Sequence, residues 1–309
     1  MKHQFDEVLQ FESVAAFAAR PNYVAQLQLG AGELDRIIGK YELPGDKALW
    51  AVCGLNHCNT QHRFGYVICA KDGQETNIGK DCGEREFDVE FEEVVARFQK
   101  AVDAHAKTRS IKSLLDERGE MLARLEKIAP QAQIQSERMR QFCGVFQHQR
   151  SFWTQLHKCA KLGGVVRAAA RQDRDWSTPG SGREQLITVG RFAGSSVLLD
   201  EGTNLHQTLN KTVRPWLQAL DETVLISADQ AGLDGVLREA GMMKRLVDKA
   251  EKFVTQASAF LTKENIAQLE PICTHLMRKY DAADARTDLE KWVAGELPRP
   301  LGKVQGKKK

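Results

Sequence analysis

Apolar residues in the first 45 positions recur at helical spacing. Ser13 stands where it would cap "VAAFAAR", and Leu34, Ile37 and Ile38 of "GELDRIIGKY" share one face of a second short helix, which Pro44 and Gly45 end. A helical segment is therefore expected over 1–45. After Lys47 the period shortens. "KALWAVC" and "FGYVICA" are short β-favouring runs, and the Asp-Gly of "KDGQ", between "YVICA" and "ETNIG", is a hairpin turn that needs φ > 0. In "FGYVICA" the alternation puts Phe64, Tyr66 and Ile68 on one face and Val67 with Cys69 on the other. Residues 46–90 read as a small β module.

From Phe91 onward the helical period returns. Phe91, Val95, Phe98 and Val102 make one stripe; Ile111, Leu115, Leu122 and Leu125 make another, out of phase with the first by about half a turn. A break near "KTRSIK", with Ser110 capping a new helix, accounts for the offset. Pro130 ends that helix, and the chain returns through Ile134, Phe142, Phe146, Trp153 and Leu156 until Gly163 and Gly164 interrupt it. The expectation is a helical hairpin over 91–172, basic in its second half. "DRDWSTPGSGR", 173–183, is a linker. Beyond it, "EQLITVG" and "SSVLLD" read as a strand pair opening a domain over 184–298. Its helices are expected near 205–221, 228–240, 242–261 and 263–280, with Thr262 as a cap, and in "ARTDLEKWVAG". The chain closes in a basic tail, 299–309, read as disordered. The fold class expected is mainly α with a small β-hairpin module (α+β).

Composition changes this picture little. A chain of 309 residues, 42% hydrophobic and 28% charged, is globular and long enough for more than one domain. Acidic residues in "MKHQFDEVLQF" and the lack of a long apolar run predict a cytoplasmic protein with no membrane span. Charge says more. The net +3 conceals a basic middle, since residues 131–195 hold 10 Lys/Arg against 4 Asp/Glu. Arg138, Arg140, Arg150, Lys158, Lys161, Arg167, Arg171 and Arg174 are interleaved there with Phe142, Phe146, Phe152, Trp153 and Trp176. Two readings follow. Either the arginines track phosphates while the aromatics stack on bases, or the aromatics are the packed face of the hairpin and the arginines its wet face. The partner expected is nucleic acid or an acidic protein surface, and the hairpin also offers a face for self-association.

The cysteines change the picture most. Residues 52–83 hold four of the chain's seven cysteines and two of its eight histidines. An odd thiol count without an export signal predicts a reducing compartment, where clustered thiols point to metal. Cys53 and Cys58 flank a turn containing Gly54 and Asn56. Cys82 lies between Gly79 and Gly83 at the start of the next helix, whose dipole favours a thiolate. His62, just before the hairpin, completes a set Cys53, Cys58, His62, Cys82 for a structural Zn2+, with Cys69 and then His57 in reserve. The bland alternative is a strand module with incidental thiols.

The order "CG", then Cys and His, a hairpin containing "DG", and "NIGKDCG" resembles small zinc-binding modules of the treble-clef or ribbon kind, in which an IGxxC turn closes the site. Such modules include ones found in phage and mobile-element proteins. The resemblance covers residues 50–84, with four residues rather than the common two between the first cysteines. It implies a zinc-stapled hairpin and a link to DNA.

Phosphate loops, dinucleotide fingerprints, nucleophile elbows and HExxH arrangements are absent from the sequence. Cys143, Cys159 and Cys273 fall in apolar helical surroundings and read as small packed residues. The function expected is therefore that of a non-enzymatic zinc-containing binding protein, nucleic-acid-interacting or regulatory and related to phage or mobile elements. The alternatives are a protein-interaction scaffold with structural zinc and a zinc-dependent hydrolase.

Overall fold

The computed structural model describes residues 9–170, 186–199, 204–224 and 230–296. The chain is mainly α-helical with small sheets and divides into two compact units, Met1–Ser113 with Ser227–Asp234, and Leu114–Ile226 with Gly235–Lys309. The proposed linker 173–183 and the tail 299–309 lie outside the described residues, as do Arg171, Arg174 and Trp176.

The first unit is built on a four-stranded sheet in the order β1-β2-β5-β6. Its strands are β1 (Leu9–Phe11), β2 (Leu34–Glu42), β5 (Phe64–Ala70) and β6 (Glu75–Gly79); β1 runs parallel to β2 and the other pairs are antiparallel. Helix α1 (Val14–Ala18) follows β1, and Ser13 Oγ accepts from the Ala16 amide as its N-cap. The β5–β6 hairpin turns where expected, with Gly73 at φ 89° and the Ala70 amide bonded to Gln74 O. A separate two-stranded ladder, β3 (Ala51–Val52) with β4 (Gln61–His62), stands beside it in sequence, preceded by a 3-10 turn at Lys47–Leu49. Helices α2 (Lys80–Phe87) and α3 (Val89–Phe146) follow β6 directly. Phe91, Val94 and Phe98 join Ile68, Ile78 and Phe87 in one core, with Tyr66 edge-on to the rings of Phe91 and Phe98.

The helix expected over "GELDRIIGKY" is a strand. Register irregularities in the β2–β5 ladder, between Leu34 and Arg36 and between Ile37 and Gly39, break strict alternation, so Leu34 and Ile37 fall inside together and imitate a helical face. Of residues 9–45, only Val14–Ala18 form an α-helix. The break at "KTRSIK" is also absent: Ser110 Oγ bonds back to Ala106 O inside an unbroken α3. The offset between the two apolar stripes has another cause. The first stripe packs in the sheet-bearing unit, whereas Leu125, Ala129, Ala132 and Met139 pack in the second, so the helix changes the face it buries.

Pro130 does not end a helix; it lies inside α3. Burial of Leu125, Ile128, Ala129 and Ala132 around it outweighs a local cost of about 3 kcal/mol. The hairpin turn comes later, between Phe146 and α4 (Arg150–Lys161). After it, β7 (Val165–Ala169) pairs antiparallel with β8 (Leu186–Arg191), which corrects the all-helical reading of 91–172. "SSVLLD" is not β8's partner: Ser195–Leu198 is a 3-10 turn burying Val197 and Leu198. Helices α5 (Leu205–Thr208) and α6 (Arg214–Ala219) are joined by a π-turn at Leu209–Val213. The two helices expected over 228–261 are one, α7 (Gln230–Phe260), because Gly241 has open space around it and the apolar face continues through Met243, Val247 and Ala250. Thr262 caps α8 (Lys263–Ala267) as expected, α9 (Glu270–Leu276) is separate, and α10 (Lys279–Ala294) ends at Gly295 in the left-handed region. Phe142 is the centre of this unit's core, with Phe146, Phe260 and Trp292 against it. Among the described residues, no helix is long and apolar enough to cross a membrane.

Replacing Pro130 by Ala supplies the missing amide and removes the ring from the preceding turn. Pro130→Ala is expected to raise stability by about 1–3 kcal/mol, read as a higher urea midpoint by circular dichroism. An unchanged or lower midpoint would mean that the surrounding core is built around the proline.

Candidate metal centre

Three segments of the first unit meet at the cysteines. Cys53 follows β3, His62 lies on β4, and Cys82 sits in the first turn of α2, directly after β6. The β3–β4 ladder pairs Ala51 with His62, and the Cys53 amide bonds Thr60 O at 2.8 Å, so the loop 53–60 is closed at its base. Within it Asn56, His57 and Asn59 adopt φ of 47°, 54° and 56°, a left-handed conformation that Asn tolerates and His rarely does. Asn56 anchors the turn: its side chain accepts from the Leu29 amide, and its Nδ2 donates to Leu29 O and to Glu86 Oε2.

The donors converge. One ligand atom each from Cys53, His62 and Cys82 lie within 4.8 Å of one another, a group that could hold a metal ion. Cys82 Sγ is 3.3 Å from His62 Nε2 and 3.3 Å from Cys58 Sγ. Donors of a tetrahedral zinc site with Zn–S near 2.3 Å stand roughly 3.8 Å apart, so the spacing of Cys53, His62 and Cys82 is within small adjustment of that geometry, while Cys58 meets the group through Cys82. Backbone amides of Leu55 and Gly79 point at the Cys53 sulfur, and the Thr60 amide and hydroxyl at that of Cys58. The chain thus aims hydrogen-bond donors at sulfur, as thiolates require.

Charge makes the case for a cation. Burial acts against ionising Cys58, but bonds from the Thr60 hydroxyl, the Arg85 guanidinium, the Thr60 amide and the Cys82 thiol outweigh it and bring Cys58 down to about 6. Cys82 goes the other way: burial first, then its contact with Cys58, pushes it up to about 12. Burial also raises Cys53 and lowers His62, which keeps the imidazole neutral as a ligand must be. One negative charge is therefore accommodated and further charges are opposed. A divalent cation removes that opposition, because it supplies the largest local charge and lets neighbouring thiols ionise.

Cys69 and His57 stand apart from this group. Cys69 is buried on β5, where its thiol faces Ala70 O, and His57 is exposed with Nε2 3.2 Å from Gln28 Nε2. Two contributors went unread in the sequence. Thr60 follows Cys58 by two residues, and Arg85 follows Cys82 by three on α2, with Nη2 3.4 Å from Cys58 Sγ. The helical spacing of Cys82 and Arg85 was a legible signal. Of the carboxylates nearby, Glu84 pairs with Lys80 and Glu86 with Arg85 and Asn56, while the exposed Asp81, next to Cys82, acts on His62 through its charge.

In the second unit Arg138, Arg140, Arg150, Lys158, Lys161 and Arg167 are all exposed. Arg138 donates to Leu261 O and Arg140 pairs with Glu137. The interleaved aromatics have a different fate: Phe142, Phe146 and Phe152 are each 0% exposed, and Trp153 is half-buried against His157. Those phenylalanines are core, not stacking platforms. Cys159 and Cys273 are buried and Cys143 half-buried, and burial raises all three thiols, Cys143 and Cys273 to about 11. Comparison with family models, curated proteins and solved structures finds no match to this chain.

A side chain at position 79 would run into the His62 ring, whereas one at Gly45 would meet open space. Gly79→Ala is expected to displace the imidazole and weaken divalent-metal affinity by about tenfold or more, read by competition with a chromogenic chelator. Gly45→Ala is the control and should leave affinity unchanged.

Proposed function

We propose that the chain is a non-enzymatic zinc protein in which Cys53, Cys58, His62 and Cys82 hold a structural Zn2+. The observation that carries this reading is the meeting of the Cys53, His62 and Cys82 donor atoms from three separate segments, with the Cys58 sulfur touching that of Cys82. A set of three thiolates and one imidazole fills all four positions of a tetrahedral ion, which supports a structural role over a hydrolytic one, where a water needs the fourth place. Two of the neighbouring carboxylates support it too, since Glu84 and Glu86 are paired with cations. What the metal would supply is a crosslink worth on the order of 10 kcal/mol to the segment that carries it. The ladder β3–β4 has two residues per strand and little core of its own.

The binding activity is assigned to nucleic acid, through phosphates. The exposed cations from Arg138 to Arg167, on α3, α4 and β7, favour a polyanion. With Phe142, Phe146 and Phe152 in the core, contact through stacked bases loses its support, and the reading becomes one of backbone attraction without sequence choice. The same burial favours, as a second reading, a scaffold that meets an acidic protein surface.

Chain purified without added metal is expected to carry about one zinc per molecule by elemental analysis, and chelation should speed hydrogen exchange in β5 and β6. Less than about 0.2 equivalents, with folding indifferent to chelator, would refute the metal. Cys82→Ser should behave as the chelated chain does.

Mobility shifts at two ionic strengths separate nucleic acid from scaffold. Phosphate binding predicts that log K falls with log salt by about 0.9 per contact in duplex DNA, and that a triple Gln substitution at Arg150, Lys158 and Lys161 flattens the slope. No shift at low salt favours the scaffold.

A further inference from the structure

The sulfurs of the candidate metal centre are not equally sheltered. Cys53 and Cys82 are 0% and 2% exposed, whereas Cys58 is partly open to solvent at the edge of its loop. There its sulfur meets Thr60 Oγ1 at 3.2 Å, Arg85 Nη2 at 3.4 Å and Cys82 Sγ at 3.3 Å. The Arg85 side chain is itself 59% exposed, so a small polar oxidant reaches the sulfur and the guanidinium together. No other cysteine combines these features: Cys69, Cys159 and Cys273 are buried, and Cys143, also half-buried, sits among the apolar side chains of the second unit's core.

We infer that Cys58 is an oxidation site for hydrogen peroxide and that its oxidation, closing a disulfide with Cys82, expels the metal. The inference rests on the zinc reading above. In the first step the Cys58 sulfur attacks one peroxide oxygen; the O–O bond breaks, an S–O bond forms, and hydroxide leaves. Arg85 stands where negative charge passes to that departing oxygen. In the second step the Cys82 sulfur attacks the Cys58 sulfenic acid, the S–S bond forms, and a second hydroxide leaves. Each sulfur gives up one electron, peroxide takes both, and two protons turn the hydroxides into water. Zinc keeps its oxidation state but loses two of its four donors, and Cys53 with His62 cannot retain it alone. Cys82 is the resolving partner because its sulfur lies 3.3 Å from that of Cys58; the Cys53 sulfur also borders Cys58, but the Leu55 and Gly79 amides hold it in place.

The test uses the full chain as purified, with zinc measured first by elemental analysis. Hydrogen peroxide is then added with a chromogenic chelator present, and the product is mapped by peptide mass spectrometry. The expected result is release of the bound zinc together with a Cys58–Cys82 crosslink, and recovery of both thiols and metal on adding dithiothreitol and Zn2+. Arg85→Gln, compared per zinc bound, should slow release several-fold. Zinc retained under peroxide overturns this inference alone, as does release with sulfinic acids or a Cys53–Cys58 link in place of the Cys58–Cys82 bond. A chain that carries no zinc before peroxide is added overturns the metal reading and this inference with it.

Discussion

Cys53, His62 and Cys82 bring one donor atom each within 4.8 Å of one another, and the Cys58 sulfur meets that of Cys82; thiolates gathered so closely oppose one another's charge, an opposition that a bound cation would relieve. That constraint shapes the first unit. Cys58 lies low, near 6, because bonds from Thr60, Arg85 and Cys82 outweigh its burial, and Cys82 lies high, near 12, because burial and then its contact with Cys58 oppose its charge. Around the group the chain spends its strained backbone, with Asn56, His57 and Asn59 in the left-handed region, and its amide donors, from Leu55, Thr60 and Gly79. Such concentration of strain and donors at one point is the mark of a site whose geometry is fixed in advance.

The sheet serves this arrangement. The β5–β6 hairpin carries the chain from His62 on β4 to Cys82 on α2, and the α2–α3 junction is pinned by Phe87 and Phe91 in the same core as Ile68 and Ile78. The second unit rests on a different principle. Its core is aromatic around Phe142, its polar contacts include the Arg124 fork on Asp248 and Glu251, and Arg138, Arg140, Arg150, Lys158, Lys161 and Arg167 are exposed. One unit is organised around charge confined to a point, the other around apolar area with charge spread over its surface.

The elements read well from the sequence were those fixed by short-range chemistry. Ser13 and Thr262 cap helices because a hydroxyl satisfies an amide two or three residues on, and Gly73 turns the hairpin because it alone takes φ 89° without cost. The thiols and His62 were legible as a cluster because glycines flank them. The failures share a cause. Leu34 and Ile37 imitated a helix because irregular pairing with β5 shifted their faces, a fact held by residues thirty positions away. Pro130 and Ser110 read as stops because local propensity argues so, and burial on both sides overrode it.

The sequence by itself determined the caps at Ser13 and Thr262, the Gly73 turn, the basic middle and the clustering of potential metal donors between residues 52 and 83, since each depends on neighbours along the chain. Only the tertiary structure decided that Leu34–Glu42 is a strand, that α3 runs unbroken, that the phenylalanines among the arginines are core, and that the Cys82 sulfur meets both His62 and Cys58 while Cys69 turns away. Those outcomes depend on which distant surfaces pack together, and burial of apolar area between distant segments outweighs the fractions of a kilocalorie by which local propensities differ.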